Sequence, residues 1–555
     1  MKSIAILAKI VVMSQVPVPA APNAAATKPA ASSGNSYDRL PYEPRPLLAT
    51  HPDALATAAI LAGLNPVPVT RCRVLEIGCA VGGNLLPIAQ AFPESTFVGI
   101  DISAKQIAMA QRTATGAGLK NVRLEVKDFK TLTAAEFGQF DYIIAHGVYS
   151  WVQPAARDKL IPLIAQLLTP AGLAYMNYHV NPGWHVRDMF REMVAWQTRN
   201  ITDPKAIAAE ARTFLASLSK QATAAGESLY AAQLRQEAAF LAAVPDDYLI
   251  HEYVEAYPQA FCFEQMAEQF GRNGLAYAGE VKGNPNRRRM AVEVIKEKPE
   301  LGENLAALEQ AIDLAQGTFI RRSLICRTGQ TVSPLPRADG LERLLIRGQI
   351  LPAMTQGDVR STEPMPFRLA DGKVIEIADP AAKIILVSLA HALPRAMSFE
   401  DMLNIARVNL QLGDQFSLPG SPDREAMLNV ALNCYMMMML DLHVAPPAYV
   451  PVAGEKPKAT ALARFQARES KSAANVLHTL VQNLNKTERL VLAHLNGTRD
   501  RAALVGVLKA AITKGILPDP AKSPAAAVEA GLSGPLEQAL EKALSRVAAE
   551  AFLIE

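Results

Sequence analysis

The chain carries almost no excess charge. Its 56 basic residues are offset by 53 acidic ones, which leaves +3. That balance gives no electrostatic footprint for nucleic acid or an anionic membrane. Cysteine is scarce. Cys72, Cys79, Cys262, Cys326 and Cys434 are scattered, odd in number and never spaced C-x-x-C. The pattern argues against a disulfide framework or a cysteine zinc site and fits reduced thiols in a cytoplasmic protein. The nine histidines do not cluster either. His179 and His185 lie closest, but nothing beside them completes a ligand set, so no metal is expected. Long apolar runs are also missing. Ile4 to Met13 is broken by Lys9. It is far too short to span a bilayer and a poor match to a signal peptide, so no stable membrane association is expected.

What is present is a globular balance: half the residues are hydrophobic and a fifth charged. At 555 residues the chain should hold about three or four domains. Residues 1–36 read as a flexible Ala/Pro-rich tail, with Met13 an alternative start. Over 37–200 short apolar strands alternate with helical patterns. Strands are expected at Val74–Ile77, Thr96–Ile100, Val122–Val126, Tyr142–Ala145 and Leu173–Tyr178. Helical spacing lies between them, which implies a parallel sheet with right-handed crossovers. Residues 201–330 are Ala-rich and helical at first, then αβ-like. Residues 331–450 mix strands and helices around the turn signal Asp371-Gly372 and suggest a winged-helix-like module. Residues 451–555 read as a helical module, with a capping box at Asn485-Lys-Thr-Glu488 and an N-cap at Asp500. The fold class is therefore α/β, a Rossmann-like parallel-sheet domain followed by mostly helical α+β accessory domains.

The chemistry concentrates at Glu76-Ile-Gly-Cys-Ala-Val-Gly-Gly83, a strand-to-helix turn. Gly78 and Gly83 fit the dinucleotide pattern G-x-G-x-x-G, but Ala80 stands where the middle glycine lets a pyrophosphate approach. S-adenosylmethionine has no phosphate and tolerates that methyl group. Gly78, Cys79, Ala80 and Gly82 can line its amino-acid end, and Glu76 can attract its ammonium. Asp101, followed by Ile102, ends the second strand and can accept both ribose hydroxyls. Asp128 ends the third and can accept the adenine amino group, with Phe129 packed near the ring. Each acidic residue alone reads equally as a turn or N-cap residue. Three at the carboxyl ends of successive strands mark the edge where open α/β sheets bind ligands.

Several stretches carry a resemblance. They are Tyr37-Asp-Arg-Leu-Pro-Tyr42, Thr50-His-Pro52, the glycine turn with Asn84, Phe97–Ser103, Phe140–Val152 and Asn181-Pro-Gly-Trp-His185. Tyr248–Tyr253, Ile320–Arg327 and Leu495–Arg501 follow farther along. With these the chain resembles the bacterial methyltransferases that carry a methyltransferase regulatory domain, a group that includes rickettsial protein-lysine methyltransferases. The resemblance covers nearly everything after Tyr37. It implies a class I methyltransferase domain at 37–200, the regulatory domain at 201–330, S-adenosylmethionine as cofactor and methyl transfer as the activity. For some members it implies a lysine acceptor.

Methyl transfer needs mainly the in-line placement of two reactants. His146, Tyr149, Trp151 and Tyr178 are the catalytic candidates, because both their loops fall at the cofactor edge. His146 is favoured to line the cofactor or accept a proton. Trp151, His179, Trp184 and His185 can equally be packing or locally bonded residues, and Tyr37 and Tyr42 can form a lid or a simple anchor. Met436 to Met439 reads as helical core, and Arg287-Arg-Arg289 as a solvated loop or an acidic-partner contact. A protein substrate is the expected partner, and a second copy of the chain is another. A small-molecule methyltransferase and a cofactor-binding protein without turnover remain alternatives.

Overall fold

The computed structural model describes residues 40, 45–254, 258–282, 286–333, 335–354, 357–369, 372–411 and 420–554. The expected tail over 1–36 lies outside them, as do Tyr37, Tyr42 and Asp371.

Eight strands form the central sheet: β1 (Arg73–Ile77), β2 (Thr96–Asp101), β3 (Val122–Val126), β4 (Phe140–Ala145), β5 (Leu168–Val180), β6 (Ala260–Phe261), β7 (Leu275–Glu280) and β8 (Ile320–Arg327). Their order is β3-β2-β1-β4-β5-β8-β7, with β6 beside β5. β1 to β5 pair in parallel, as expected from their continuous apolar runs. The connections reverse direction between β1 and β4, which opens a crevice at the carboxyl ends of these strands.

The sheet is mixed, however, and not parallel throughout. β8 runs antiparallel to β5 from Ala174–Ile325 to His179–Ile320, and β7 runs antiparallel to β8. The reason is local. The helix Leu305–Gln316 stops at Gly317, which takes a left-handed φ of 59°, and the chain turns straight back into β8 without a crossover. The stretch Ile320–Arg327, placed by sequence in the accessory region, therefore extends the central sheet.

An internal charge cluster fixes β8. Arg321 is fully buried. Its Nε donates to Asp313 Oδ2 at 2.8 Å, and its Nη1 lies 2.8 Å from Glu309 Oε2 and 3.2 Å from Glu280 Oε1. Its guanidinium stacks 3.8 Å over the Phe263 ring. Arg287 joins the same carboxylates, with Nη1 3.1 Å from Asp313 Oδ1. Arg287 thus lies on the helix Asn286–Glu297 and finds its acidic partners within the chain.

The Ala-rich stretch forms two packed helices, Pro204–Ala224 and Leu229–Ala243, capped by Asp203 and Ser228. Residues 331–450 hold two small antiparallel sheets and the helices Pro380–Ala392, Phe399–Leu410 and Pro422–Met436. Ile60 and Leu61 from the helix Pro52–Leu61 are buried in that core. The methionine run is corrected: the helix ends at Met436, Met437 and Met438 are about three-fifths exposed, and only Met439 is buried. Met438 takes a φ of 57° in the turn that ends the helix.

In the C-terminal region Asn485 and Glu488 make the expected capping box, and Asp500 caps the next helix. A hairpin, Ala473–Ala474 with Leu480–Val481, adds a small sheet to the helices. This region seats on the central domain. Phe465 lies so close to Gly116 that a side chain there would overlap its ring, and Leu462 N donates to Gln90 Oε1 at 2.7 Å.

Replacing Arg321 strands buried carboxylates. Arg321→Ala should cost about 3–5 kcal/mol in urea unfolding. Arg321→Lys should recover little, because an ammonium cannot reproduce the planar fork.

Candidate functional site

The glycine turn follows β1 directly. Gly78 and Gly82 have φ of 76° and 75°, and Ala80 has a left-handed φ of 48°. Glycine meets the first two demands without strain. Gly78 N and Cys79 N both donate to Ile100 O, which ties the turn to β2. Gly78 is exposed and Ala80 half-buried, so their backbone faces the crevice. Gly82 and Cys79 are buried beneath it, with Gly82 against Leu86 and Ala110. Burial holds the Cys79 thiol well above its ordinary pKa, so it stays protonated.

Glu76 is buried under the turn. Its Oε1 accepts from Asn84 Nδ2 at 2.8 Å, while Oε2 is buried without a partner. Burial, opposed by the Asn84 hydrogen bond and aided by nearby Asp101, pushes its pKa up to about 8. An orphaned buried carboxylate oxygen is costly in isolation and is suited to a cationic ligand group.

Asp101 is half-buried. Its Oδ2 accepts from Ala80 N and its Oδ1 from Ser103 N, both at 2.9 Å. It does not cap the following helix itself; Ser103 does, accepting from Gln106 N. Ile102 beside it is 60% exposed, and Val126, paired in register with Asp101, is 53% exposed. Each leaves apolar surface exposed near the ends of β2 and β3. Asp128 caps the short helix Phe129–Thr131, accepting from Lys130 N at 3.0 Å, with Lys130 Nζ also at 3.0 Å. Phe129 is half-buried against the core.

His146 follows β4, next to the turn, because Ala145 and Ile77 are register partners. It is half-buried, with Nδ1 3.1 Å from Tyr175 Oη and the two rings stacked at 5.9 Å. Burial, then the Arg322 charge, lowers its pKa to about 4. Gly147 N donates to Asn177 Oδ1 at 2.6 Å.

The other candidates separate by strand parity, since successive side chains of β5 point to opposite faces. Leu173 and Tyr175 pack into one core, and Ala174, Met176 and Tyr178 into the other. Tyr178 therefore faces away from His146, with its hydroxyl 2.9 Å from Ser323 Oγ. Tyr149 is buried in the same far core and donates to Gln269 Oε1 at 2.6 Å. Trp151 packs edge-on against His179 at 5.0 Å, and His179 stacks on Trp184 at 3.4 Å. The Arg191 guanidinium lies 5.1 Å over the Trp151 ring. Burial, then Arg191 and Arg187, lowers the His179 pKa to about 3. His185 lies in the helix Gly183–Thr198.

Sequence reasoning passed over Tyr175, Asn177 and Val126, although each sits where strand parity or register puts it at this edge. It quoted Asn84 only as a landmark and gave His478 no role. His478 lies about 400 residues from Asn84 in sequence, yet its Nε2 is 2.9 Å from Asn84 Oδ1. Among the described residues no group of three or more His, Cys, Asp or Glu could hold a metal ion.

The Glu76 shift has a defined sign. Between about pH 4.5 and about 8 the folded chain holds a proton that the unfolded chain has released. The contribution to stability therefore falls as pH rises through that window. Without cofactor, the wild-type unfolding midpoint should drop from pH 6 to pH 8.5, and Glu76→Gln should flatten that slope in the same thermal melts.

Comparisons with known proteins agree with this geometry. Residues 69–233 match a family described as a methyltransferase domain, and residues 245–327 a predicted methyltransferase regulatory domain. Residues 455–552 match a PKMT C-terminal winged helix domain, so that description falls on the stretch expected to be a helical module. Uncharacterized protein RP789 of Rickettsia prowazekii is 28% identical over 490 residues, 87% of each chain. Uncharacterized protein RP028 of the same organism is 35% identical over 234 residues, 93% of its length and 42% of this chain. The structure of PKMT2 from Rickettsia typhi in complex with AdoHcy shares the fold, with a TM-score of 0.77 and 24% identity over 93% of this chain and 100% of that one. The chain belongs to the class I S-adenosylmethionine-dependent methyltransferases that carry a methyltransferase regulatory domain and a PKMT-type C-terminal winged helix.

Proposed function

We propose that the chain methylates lysine side chains of proteins. The observation that carries this reading is the His146–Tyr175 pair, held beside the glycine turn at the common strand edge. The matched PKMT winged helix and the fold shared with PKMT2 support a macromolecular acceptor.

The residues present suit the cofactor. Glu76 Oε2 offers an unpaired acceptor for an ammonium, Asp101 a half-exposed carboxylate for ribose hydroxyls, and exposed Ile102 apolar surface for adenine. Gly78, Cys79, Ala80 and Gly82 shape the turn, and Asp128 with Phe129 flank the adenine end. When bound, S-adenosylmethionine supplies an electrophilic sulfonium methyl group. His146, with its pKa near 4, is too weak a base to hold the proton of a lysine, whose usual pKa is about 10.4. Its work is to orient the neutral amine, with Tyr175 holding the ring. Trp151 carries Arg191 on its face, so it serves as wall rather than amine cage. Tyr149 and Tyr178 support that wall from the far core.

We carry the division at 37–200, 201–330, 331–450 and 451–555 into this reading, with β6 to β8 of the second part completing the central sheet and the later parts gripping the substrate. A second copy of the chain is a further partner, supported by the exposed Leu229 and Tyr230 at the start of the second Ala-rich helix. We place the protein in the cytoplasm, on its free cysteines. No helix among the described residues is long and apolar enough to cross a membrane.

Tritiated S-adenosylmethionine should label a protein band in cell extract, and acid hydrolysis of that band should release methyl-lysine. Label confined to small molecules would overturn the acceptor. Asp101→Ala should weaken cofactor binding by about 10- to 100-fold, the loss of hydrogen bonds to a charged group. Tyr175→Phe should lower kcat by about tenfold or more through misplacement of His146, with cofactor affinity unchanged.

A further inference from the structure

The tip of the C-terminal hairpin reaches into the glycine turn. Residues 475–479 join the strands Ala473–Ala474 and Leu480–Val481. The tip is rigid: Asn475 Oδ1 accepts from Thr479 N and Thr479 Oγ1, and Asn475 Nδ2 donates to Glu550 O. At this tip His478 takes a left-handed φ of 56° and is 5% exposed. That backbone conformation is costly for a residue with a side chain. It persists here because the tip is fixed on both sides, and its effect is to aim the imidazole inward.

The imidazole meets Asn84. His478 Nε2 lies 2.9 Å from Asn84 Oδ1. Leu47 N donates to the same oxygen at 2.9 Å and lies 3.2 Å from His478 Nε2, while Thr50 Oγ1, 3.1 Å from Asn84 Oδ1, gives its one hydrogen to Leu47 O at 2.8 Å. The His478 ring also packs edge-on against His51 at 5.0 Å. Burial, then His51, holds His478 well below its ordinary pKa, so it is neutral, and on the tautomer with its hydrogen on Nε2 that hydrogen goes to Asn84 Oδ1. Exchanging the amide oxygen and nitrogen would set Nδ2 against the fixed Leu47 N–H and the Nε2–H of His478, so these two donors select one orientation. The amide is therefore oriented, and its Nδ2 points to Glu76 Oε1 at 2.8 Å. Glu76 is left with one oxygen bound and the other unpaired beneath the turn.

We propose that His478 is a positioning residue for the cofactor site: the C-terminal winged helix orients Asn84, and through it Glu76, for the amino-acid end of S-adenosylmethionine. The module is then part of the donor site and not only an arm for the acceptor. The inference rests on the reading of Glu76 and Asp101 as cofactor residues.

The test uses the purified full-length chain and calorimetric titration of S-adenosylmethionine, with circular dichroism to show that each variant is folded. His478→Ala should weaken cofactor binding by about three- to tenfold, the worth of one buried neutral hydrogen bond. The KM for the cofactor should rise by the same factor while kcat changes less than twofold. His478→Gln, whose amide can donate from a similar reach, should recover most of the affinity. Unchanged affinity in a folded His478→Ala protein overturns the proposal. So does an equal loss in His478→Ala and His478→Gln, which would show that bulk and not the donor matters. Asp101→Ala in the same titrations separates the two levels. If Asp101→Ala leaves affinity intact, the cofactor reading of the turn fails. If only Asp101→Ala weakens binding, the role of His478 alone fails.

Discussion

The antiparallel pairing of β8 with β5 is the contact on which the site depends. β5 is a long strand buried on both faces, with Ala174, Met176 and Tyr178 on one and Tyr175 and Asn177 on the other. Its parallel neighbour β4 covers only one edge. The other edge is closed by β8, and β8 is held by Arg321 among Asp313, Glu309 and Glu280. Burying that guanidinium is favourable only because its hydrogen bonds are met by carboxylates and by the Glu309 carbonyl. The matched regulatory domain therefore cannot be lifted away as a separate unit. Its strands complete the catalytic sheet, and Arg322, next to the buried arginine, is one of the two causes of the low His146 pKa.

The parts of this fold that were legible in the sequence are local. The glycine turn and β3 over Val122–Val126 stand where pattern and turn residues put them. The capping box at Asn485 does so too, because a cap is decided within four residues. The direction of β8 was not legible. Periodicity identifies a strand but not its partner, and a buried antiparallel strand reads like a parallel one. Tyr178 was misplaced for a related reason. Its position in β5 was right, but the face it points to depends on which parity meets β4's loop. Tyr175 and Tyr178 differ by three residues and so lie on opposite faces. His478 left no signal at all, because its meaning comes from Asn84, far away in the chain.

Desolvation links the donor and acceptor sides of the site. His51 and His146 are drawn to about 4 and His179 to about 3, with burial the largest cause each time, and burial lifts Glu76 to about 8. The same environment that keeps these imidazoles neutral disfavours an ammonium. On the proposed reading, a lysine entering beside His146 meets that cost and sheds its proton toward solvent as it leaves water. No strong base is then required of the chain, which accounts for a site whose His146 and His179 are too weakly basic to be one. The bound amine is neutral, its lone pair is free, and orientation by His146 and Tyr175 is what remains for the protein to supply. On the same proposed reading Glu76 is the converse: a carboxyl held protonated by burial ionises once the ammonium of the methyl donor is placed against its free oxygen, which couples donor binding to loss of that proton.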